Sequence, residues 1–105
     1  MNLSGVFVHH VYFWLKNPDS QEDLERLHQG LVTLSAVKSI KDFHIGKPAT
    51  TGREVIDVSY GLSWLLLFSS KEDEESYQVD PVHLEFVEKC SPLWRKVIVY
   101  DSVNA

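Results

Sequence analysis

The chain of 105 residues is 44% hydrophobic and 24% charged, which predicts one soluble globular domain with one core over residues 1–105. A formal net charge of −5, without a basic patch, argues against nucleic acid and anionic membrane surfaces as partners. The single cysteine excludes an intrachain disulfide and favours a reducing, cytoplasmic location, and the longest apolar run, Trp64 to Phe68, is too short to span a bilayer.

The first predicted element is a strand from Phe7 to Lys16, which contains no Gly or Pro and is dense in β-branched and aromatic residues. Successive side chains of a strand point to opposite faces, and here both faces are apolar. A strand covered on one side only alternates apolar with polar residues, so this pattern predicts a central strand with both faces covered. The adjacent histidines His9 and His10 then point to opposite sides of the sheet.

A helix and a second strand are predicted next. The helix begins at a cap on Asp19 or Ser20 and ends between residues 36 and 39, and Gly30 within it marks close packing. It carries one apolar stripe of leucines at helical spacing, formed by Leu24, Leu27, Leu31 and Leu34. The second strand is expected over residues 40–47.

Further elements complete the pattern. A third strand from Tyr60 to Ser69 is again apolar on both faces. A short acidic helix covers Lys71–Val79, and Asp80-Pro81 starts another helix, with Asp as N-cap and Pro at the first helical position. The last strand is expected from Lys96 to Val103. The inner face of the last helix is predicted to include His83, Phe86 or Val87, Cys90 and Trp94.

This order of strand, helix, strand, strand, helix and strand predicts an α+β fold of the ferredoxin-like type, with a four-stranded antiparallel sheet. The helices cover one face of the sheet. We expect a second copy to cover the other face by two-fold symmetry, giving a homodimeric α/β barrel. That other face is too apolar to be left in water, and it includes Val8, His10, Tyr12, Trp14 and Leu65.

Three stretches together resemble a known family along nearly the whole chain. They are His9-x-Val11-x-Phe13-x-Leu15-Lys16 in the first strand, Ile40-Lys41-Asp42-Phe43-x-x-Gly46-Lys47 in the second, and Tyr77-x-x-Asp80-Pro81-x-His83-x-x-Phe86 at the last helix. Through these stretches the chain resembles the stress-responsive dimeric α/β-barrel (Dabb) domain family, and the third stretch is the most specific. The resemblance implies a ferredoxin-like protomer whose sheet packs on that of its mate to form an eight-stranded barrel.

The resemblance also implies a site. The family includes plant stress proteins, bacterial proteins without assigned activity, and plant polyketide cyclases of the olivetolic acid cyclase type. In those cyclases the pocket lies between helices and sheet, and residues that face it carry over to His9, Tyr77 and His83. A further pocket histidine falls at Leu62, and a small neighbour is replaced by Trp64. These departures imply a narrower, more apolar pocket, with an expected lining of His9, Leu62, Trp64, Tyr77, His83 and Phe86.

Two functions remain open from the sequence, beside a purely structural role. The first is a domain that binds a small apolar or carbonyl-containing molecule above His9, Tyr77 and His83. The second is a cofactor-independent cyclase or lyase, in which a histidine is the general base and the tyrosine hydroxyl polarises a carbonyl. In the structural alternative, side chains such as Trp64 fill the pocket. The missing histidine at Leu62 favours the first function.

The remaining polar candidates favour structural roles. His10 lies on the presumed dimer face, and His44 lies beside Asp42 on the second strand. The alternative for His44 is a place in the barrel interior, where a histidine pair across the two-fold axis could bind a metal. No His-x-x-x-His or Cys-x-x-Cys spacing occurs in the sequence, so no metal or other cofactor is expected. Cys90 has helical spacing to apolar neighbours, which is typical of an inert core thiol.

Overall fold

The computed structural model describes residues 3–105, and this part of the chain forms one sheet covered by helices. The strands are β1 (Phe7–Leu15), β2 (Asp42–Gly46), β3 (Leu62–Phe68) and β4 (Trp94–Ser102). The helices are α1 (Gln21–Leu34), α2 (Lys71–Val79) and α3 (Pro81–Cys90), with one turn of 3-10 helix at Ser91–Leu93. The predicted ferredoxin-like order is confirmed, with the second helical region divided into α2 and α3.

The sheet has the strand order β2-β3-β1-β4 and all its pairs are antiparallel. β1 pairs with β3 on one edge and with β4 on the other, so the prediction of a central first strand is confirmed. Val11 lies opposite Trp64, and His9 lies opposite Leu66. Because facing residues share a sheet face, these four side chains all point toward the helices.

The core lies between this sheet face and the helices. Leu27, Leu31 and Leu34 of α1 are fully buried in one hydrophobic cluster with Phe13 and the inward residues of β3. Gly30 lies where α1 meets α3. A Cβ atom added there would lie 2.6 Å from the Cys90 sulfur, so the close packing expected at this glycine is confirmed.

Side-chain caps set the helix starts. The Ser20 hydroxyl accepts from the Asp23 amide at 3.1 Å, and the Asp80 carboxylate accepts from the Val82 amide at 2.8 Å. The expected strand boundaries agree with the observed ones to within two residues, but two predictions about the helices were wrong. α1 ends at Leu34 rather than beyond residue 35, and Trp94 is the first residue of β4 rather than part of the last helix. Pro92 accounts for the second difference, since it cannot continue an α-helix.

The sheet face turned away from the helices, here called the open face, carries Val8, His10, Tyr12, Trp14 and Leu65, as predicted. Trp14 is nevertheless buried within its own chain, with 8% exposure. Its indole N–H donates to the Ser59 hydroxyl at 2.9 Å, and the Tyr60 ring lies 6.5 Å away. The end of the β2–β3 connection therefore covers one corner of the open face.

Candidate functional site

A cavity of about 170 Å³ lies between the sheet and the helices α2 and α3. Its floor is formed by buried side chains from four elements: His9 of β1, Trp64 of β3, Tyr77 of α2 and Phe86 of α3. Half-buried and exposed side chains surround its mouth. The remaining lining residues are Val11, Phe13, Gln78, His83, Val87, Trp94, Val97 and Val99. The cavity is thus mainly aromatic and aliphatic, with a few polar groups.

The structure brings together most of the residues expected at the site. His9, Trp64, Tyr77, His83 and Phe86 all line the cavity. Leu62 does not line it. This residue faces the helices, but it pairs with Phe13 at the start of β3 and is enclosed in the hydrophobic core.

His9 is held by a carboxylate on the neighbouring strand. Its Nδ1 lies 2.6 Å from Oδ1 of Asp101, which is the residue directly opposite in the β1–β4 register. An ionised carboxylate only accepts hydrogen bonds, so Nδ1 carries the proton. In the neutral ring, the lone pair then lies on Nε2, for which no protein partner occurs among residues 3–105.

Tyr77 is held by another residue of the cavity floor. The indole N–H of Trp64 donates to its hydroxyl at 3.1 Å, and both side chains are almost fully buried. Burial raises the pKa of Tyr77 far above its usual value, because a phenolate would lose its hydration. The hydroxyl therefore remains protonated.

His83 sits next to Tyr77, with 4.6 Å between the two ring centres. Its Nδ1 lies 3.0 Å from the carbonyl oxygen of Gln78. A carbonyl only accepts, so Nδ1 of His83 also carries the proton. Burial lowers the pKa of His83, against an opposing effect of this hydrogen bond. The ring is thereby kept neutral, with its lone pair on Nε2.

These three groups have a defined chemistry. The neutral imidazole of His83 offers an Nε2 lone pair as acceptor or base, the Nε2 atom of His9 has no partner within residues 3–105, and the Tyr77 hydroxyl offers a proton. The ring centres of His9 and Tyr77 are 6.0 Å apart in an edge-to-face contact, so one small molecule in the cavity can meet both groups. Such a set can orient a ligand oxygen or move a proton without a metal.

Sequence reasoning did not find Asp101 or Gln78. Asp101 is an exposed residue near the end of the last strand, and only the β1–β4 register places it opposite His9. Gln78 contributes its backbone carbonyl, which leaves no signature in the side-chain pattern. The alternation of β4 was the one available signal, since Val97, Val99 and Asp101 share the helix-facing side.

Other cavities occur within the described residues. A groove of about 400 Å³ runs between α1 and α3, past Gly30, Phe86 and Cys90. It is larger than the cavity at His9 but contains no histidine or tyrosine, and burial raises the pKa of the Cys90 thiol, which keeps it unreactive. Residues 3–105 hold no cluster of three or more side chains suited to a metal ion.

A family model decides what kind of domain this is. The model described as the stress responsive A/B barrel domain (Dabb) matches residues 7–104. The chain belongs to the Dabb family. A comparison with curated proteins finds no match to this Dabb chain.

Several solved structures share the fold of this Dabb chain. A Dabb family protein with a ferredoxin-like fold from Mesorhizobium loti superposes with a TM-score of 0.79 at 23% identity, covering 97% of this chain and 99% of its own. A dimeric ferredoxin-like protein of unknown function from Thermobifida fusca gives 0.77 at 13% identity, with 99% and 95% covered. A hydroxynitrile lyase from Passiflora edulis gives 0.77 at 20% identity, with 95% and 94% covered.

The helices of this Dabb chain contribute side chains to the core, and α2 and α3 also line the cavity. Within residues 3–105, none of them has the length and apolar character required to cross a lipid bilayer.

The lowered histidine pKa values predict a pH dependence of stability. His83 and His10 both have a folded-state pKa below 6.5, chiefly through burial. The unfolded chain then binds protons more strongly, so stability is full above pH 6.5 and is lost as pH falls through the folded-state values. Thermal unfolding followed by circular dichroism should show a lower midpoint at pH 5.5 than at pH 7.5.

The control for this prediction is a third histidine. His83→Gln should reduce the difference between the two midpoints, whereas His28→Gln, at an exposed position on α1, should leave it unchanged. An identical pH dependence in all three proteins would contradict the assignment to His83.

Proposed function

We propose that this Dabb domain binds a small, largely apolar molecule with a polar oxygen, such as a carbonyl compound, beneath α2 and α3. The observation that carries the proposal is the convergence of His9, Tyr77 and His83 on one apolar cavity. In each histidine Nδ1 is already committed to a protein acceptor. The ligand is therefore met by the free Nε2 atoms and by the tyrosine hydroxyl.

The volume of the cavity sets the ligand's size. Trp64 occupies part of the floor with 1% exposure, yet about 170 Å³ remains above it. Since an apolar protein cavity of about 150 Å³ can hold one benzene molecule, this space suits a molecule with one ring or a short branched chain. The remaining space favours ligand binding over the structural alternative, in which side chains fill the pocket completely.

Native mass spectrometry of the protein as purified tests binding directly. We expect a mass above that of the chains alone, with a reproducible small increment for each chain. The increment should disappear under denaturing conditions, because the hydrogen bonds and apolar contacts that hold the ligand depend on the fold. Protein that carries no added mass would count against a retained ligand and in favour of the structural role.

A second candidate function is a cofactor-independent lyase or cyclase. The observation in its favour is the 2.6 Å contact between His9 and Asp101, because a base oriented by a carboxylate is a common arrangement for proton transfer. His9 or His83 would remove a proton, and the Tyr77 hydroxyl would stabilise negative charge that develops on a carbonyl oxygen. Because the fold is similar to that of a hydroxynitrile lyase, hydroxynitriles are the first substrates to test.

Two substitutions test catalysis once a substrate is turned over. His83→Ala should lower kcat by roughly two orders of magnitude or more if His83 is the base, while circular dichroism shows an unchanged fold. Asp101→Asn keeps the shape but removes the charge, and should lower kcat and alter the pH–rate profile if His9 is the base. Unchanged turnover in both variants would exclude His83 and the Asp101-bound His9 as the base.

We further propose that two copies associate through the open face, in the reducing cytoplasmic location expected from the single cysteine. A similar ferredoxin-like structure is dimeric. Tyr100 pairs with His10 on this face and is 62% exposed, beside the Tyr12 ring at 6.1 Å. Two sheets that pack face to face at about 10 Å would bury this aromatic surface.

Tyr100 is the cleaner place to test the dimer, since Trp14 is buried within its own chain. Tyr100→Asp should shift the protein from dimer to monomer in analytical ultracentrifugation, because it introduces an unpaired charge into the proposed interface. Leu84→Asp on the outer side of α3, where Leu84 is 56% exposed, is the matched control and should stay dimeric. A dimer that survives Tyr100→Asp would place the interface elsewhere.

A further inference from the structure

The hydrogen bond between Trp64 and Tyr77 has a fixed direction. An indole N–H only donates, so the tyrosine oxygen is the acceptor across the 3.1 Å contact. This bond occupies one lone pair of the hydroxyl and leaves its proton free. Within residues 3–105 it is the only hydrogen bond made by the Tyr77 hydroxyl.

Trp64 is itself firmly placed. It sits on the central pair of strands opposite Val11, and the Phe43 ring of β2 lies 5.5 Å from it. Its side chain has 1% exposure, so no solvent competes for its N–H. The Tyr77 ring is held equally well, by Phe68 at 5.3 Å and by His83 at 4.6 Å. Both partners of the bond are therefore buried and in contact with neighbouring rings.

We propose that Trp64 is a positioning residue that makes the Tyr77 hydroxyl a dedicated hydrogen-bond donor, so that the cavity selects one-ring ligands with an acceptor oxygen, of the aryl ketone class. The inference rests on the proposed binding function and adds the ligand class to it. A hydroxyl with a fixed acceptor role discriminates between ligands through its remaining proton. Because burial keeps the hydroxyl protonated, this donor is present throughout the neutral pH range.

The two imidazoles complete the discrimination. While the rings are neutral, the Nε2 lone pairs of His9 and His83 accept hydrogen bonds but cannot donate them. A carbonyl oxygen in the cavity can therefore accept a hydrogen bond only from the Tyr77 hydroxyl among these three groups. An apolar ligand of the same shape leaves the Tyr77 proton without an acceptor in a buried site, which carries a desolvation penalty. The cavity should therefore prefer a ketone over its hydrocarbon isostere.

Acetophenone and α-methylstyrene test this preference, since they share shape and differ in one atom position, a carbonyl oxygen against a methylene carbon. Dissociation constants are measured by chemical-shift titration in 1H–15N spectra of the whole protein. In the unmodified protein we expect acetophenone to bind roughly tenfold more tightly than α-methylstyrene. Tyr77→Phe should bring the ratio of the two constants close to one.

Trp64→Phe removes the indole N–H and keeps an aromatic ring. The Tyr77 hydroxyl is then free to turn, so the ratio should fall to about threefold, whatever the change in absolute affinity. Trp14→Phe is the matched control, since it removes an indole N–H bonded to a hydroxyl on the opposite sheet face and should leave the ratio unchanged. The ratio is insensitive to a general loss of stability, which would weaken both probes alike.

The outcomes separate this inference from the proposed function. If neither probe binds, the binding function fails and the inference fails with it. If both bind equally to the unmodified protein, binding stands and the donor role of Tyr77 is overturned. If Tyr77→Phe abolishes the preference while Trp64→Phe preserves it in full, Tyr77 is the donor and the positioning role of Trp64 is overturned.

Discussion

The central position of β1 is the constraint on which the rest of the structure depends. Hydrogen bonds on both edges fix its register with β3 and β4, and the period-two alternation of a strand then assigns every side chain of the sheet to one face. Odd-numbered residues of β1 meet the helices and build the core. Even-numbered residues form the open face. A slip by one residue would exchange His9 with His10 and dismantle the cavity and the open face together.

The site depends on backbone geometry as much as on side chains. The register of β4 brings Asp101 to His9, and the break between α2 and α3 presents the carbonyl of Gln78 to His83. In each contact the protein acceptor binds the proton on Nδ1, so that Nε2 remains for a ligand. The indole N–H of Trp64 donates to the oxygen of Tyr77, so that the hydroxyl proton remains for a ligand. Three polar side chains in an apolar setting are thus given one acid–base role each by their protein neighbours.

The same burial that defines these roles has a thermodynamic cost. Burial lowers the pKa of His83 in the cavity, and likewise that of His10 on the open face, so the folded state has less tolerance of acid than exposed imidazoles would give it. Aromatic packing offsets this cost. Tyr77 contacts Phe68, His9 and His83 at ring-centre distances of 4.6 to 6.0 Å, within the range where aromatic pairs stabilise a core. The cavity floor is therefore also part of the hydrophobic core.

The sequence by itself determined the order of the elements and the two faces of the sheet, because alternation, leucine spacing and caps are local patterns that short-range physics enforces. It also indicated the family and, through the resemblance to that family, the polar residues His9, Tyr77 and His83 that line the cavity. Only the tertiary structure decided that Leu62 belongs to the core, that Trp14 is covered by the chain's own connection, and that Asp101 holds His9. These are contacts between residues far apart in sequence, whose distances follow from strand register and helix placement rather than from any local pattern.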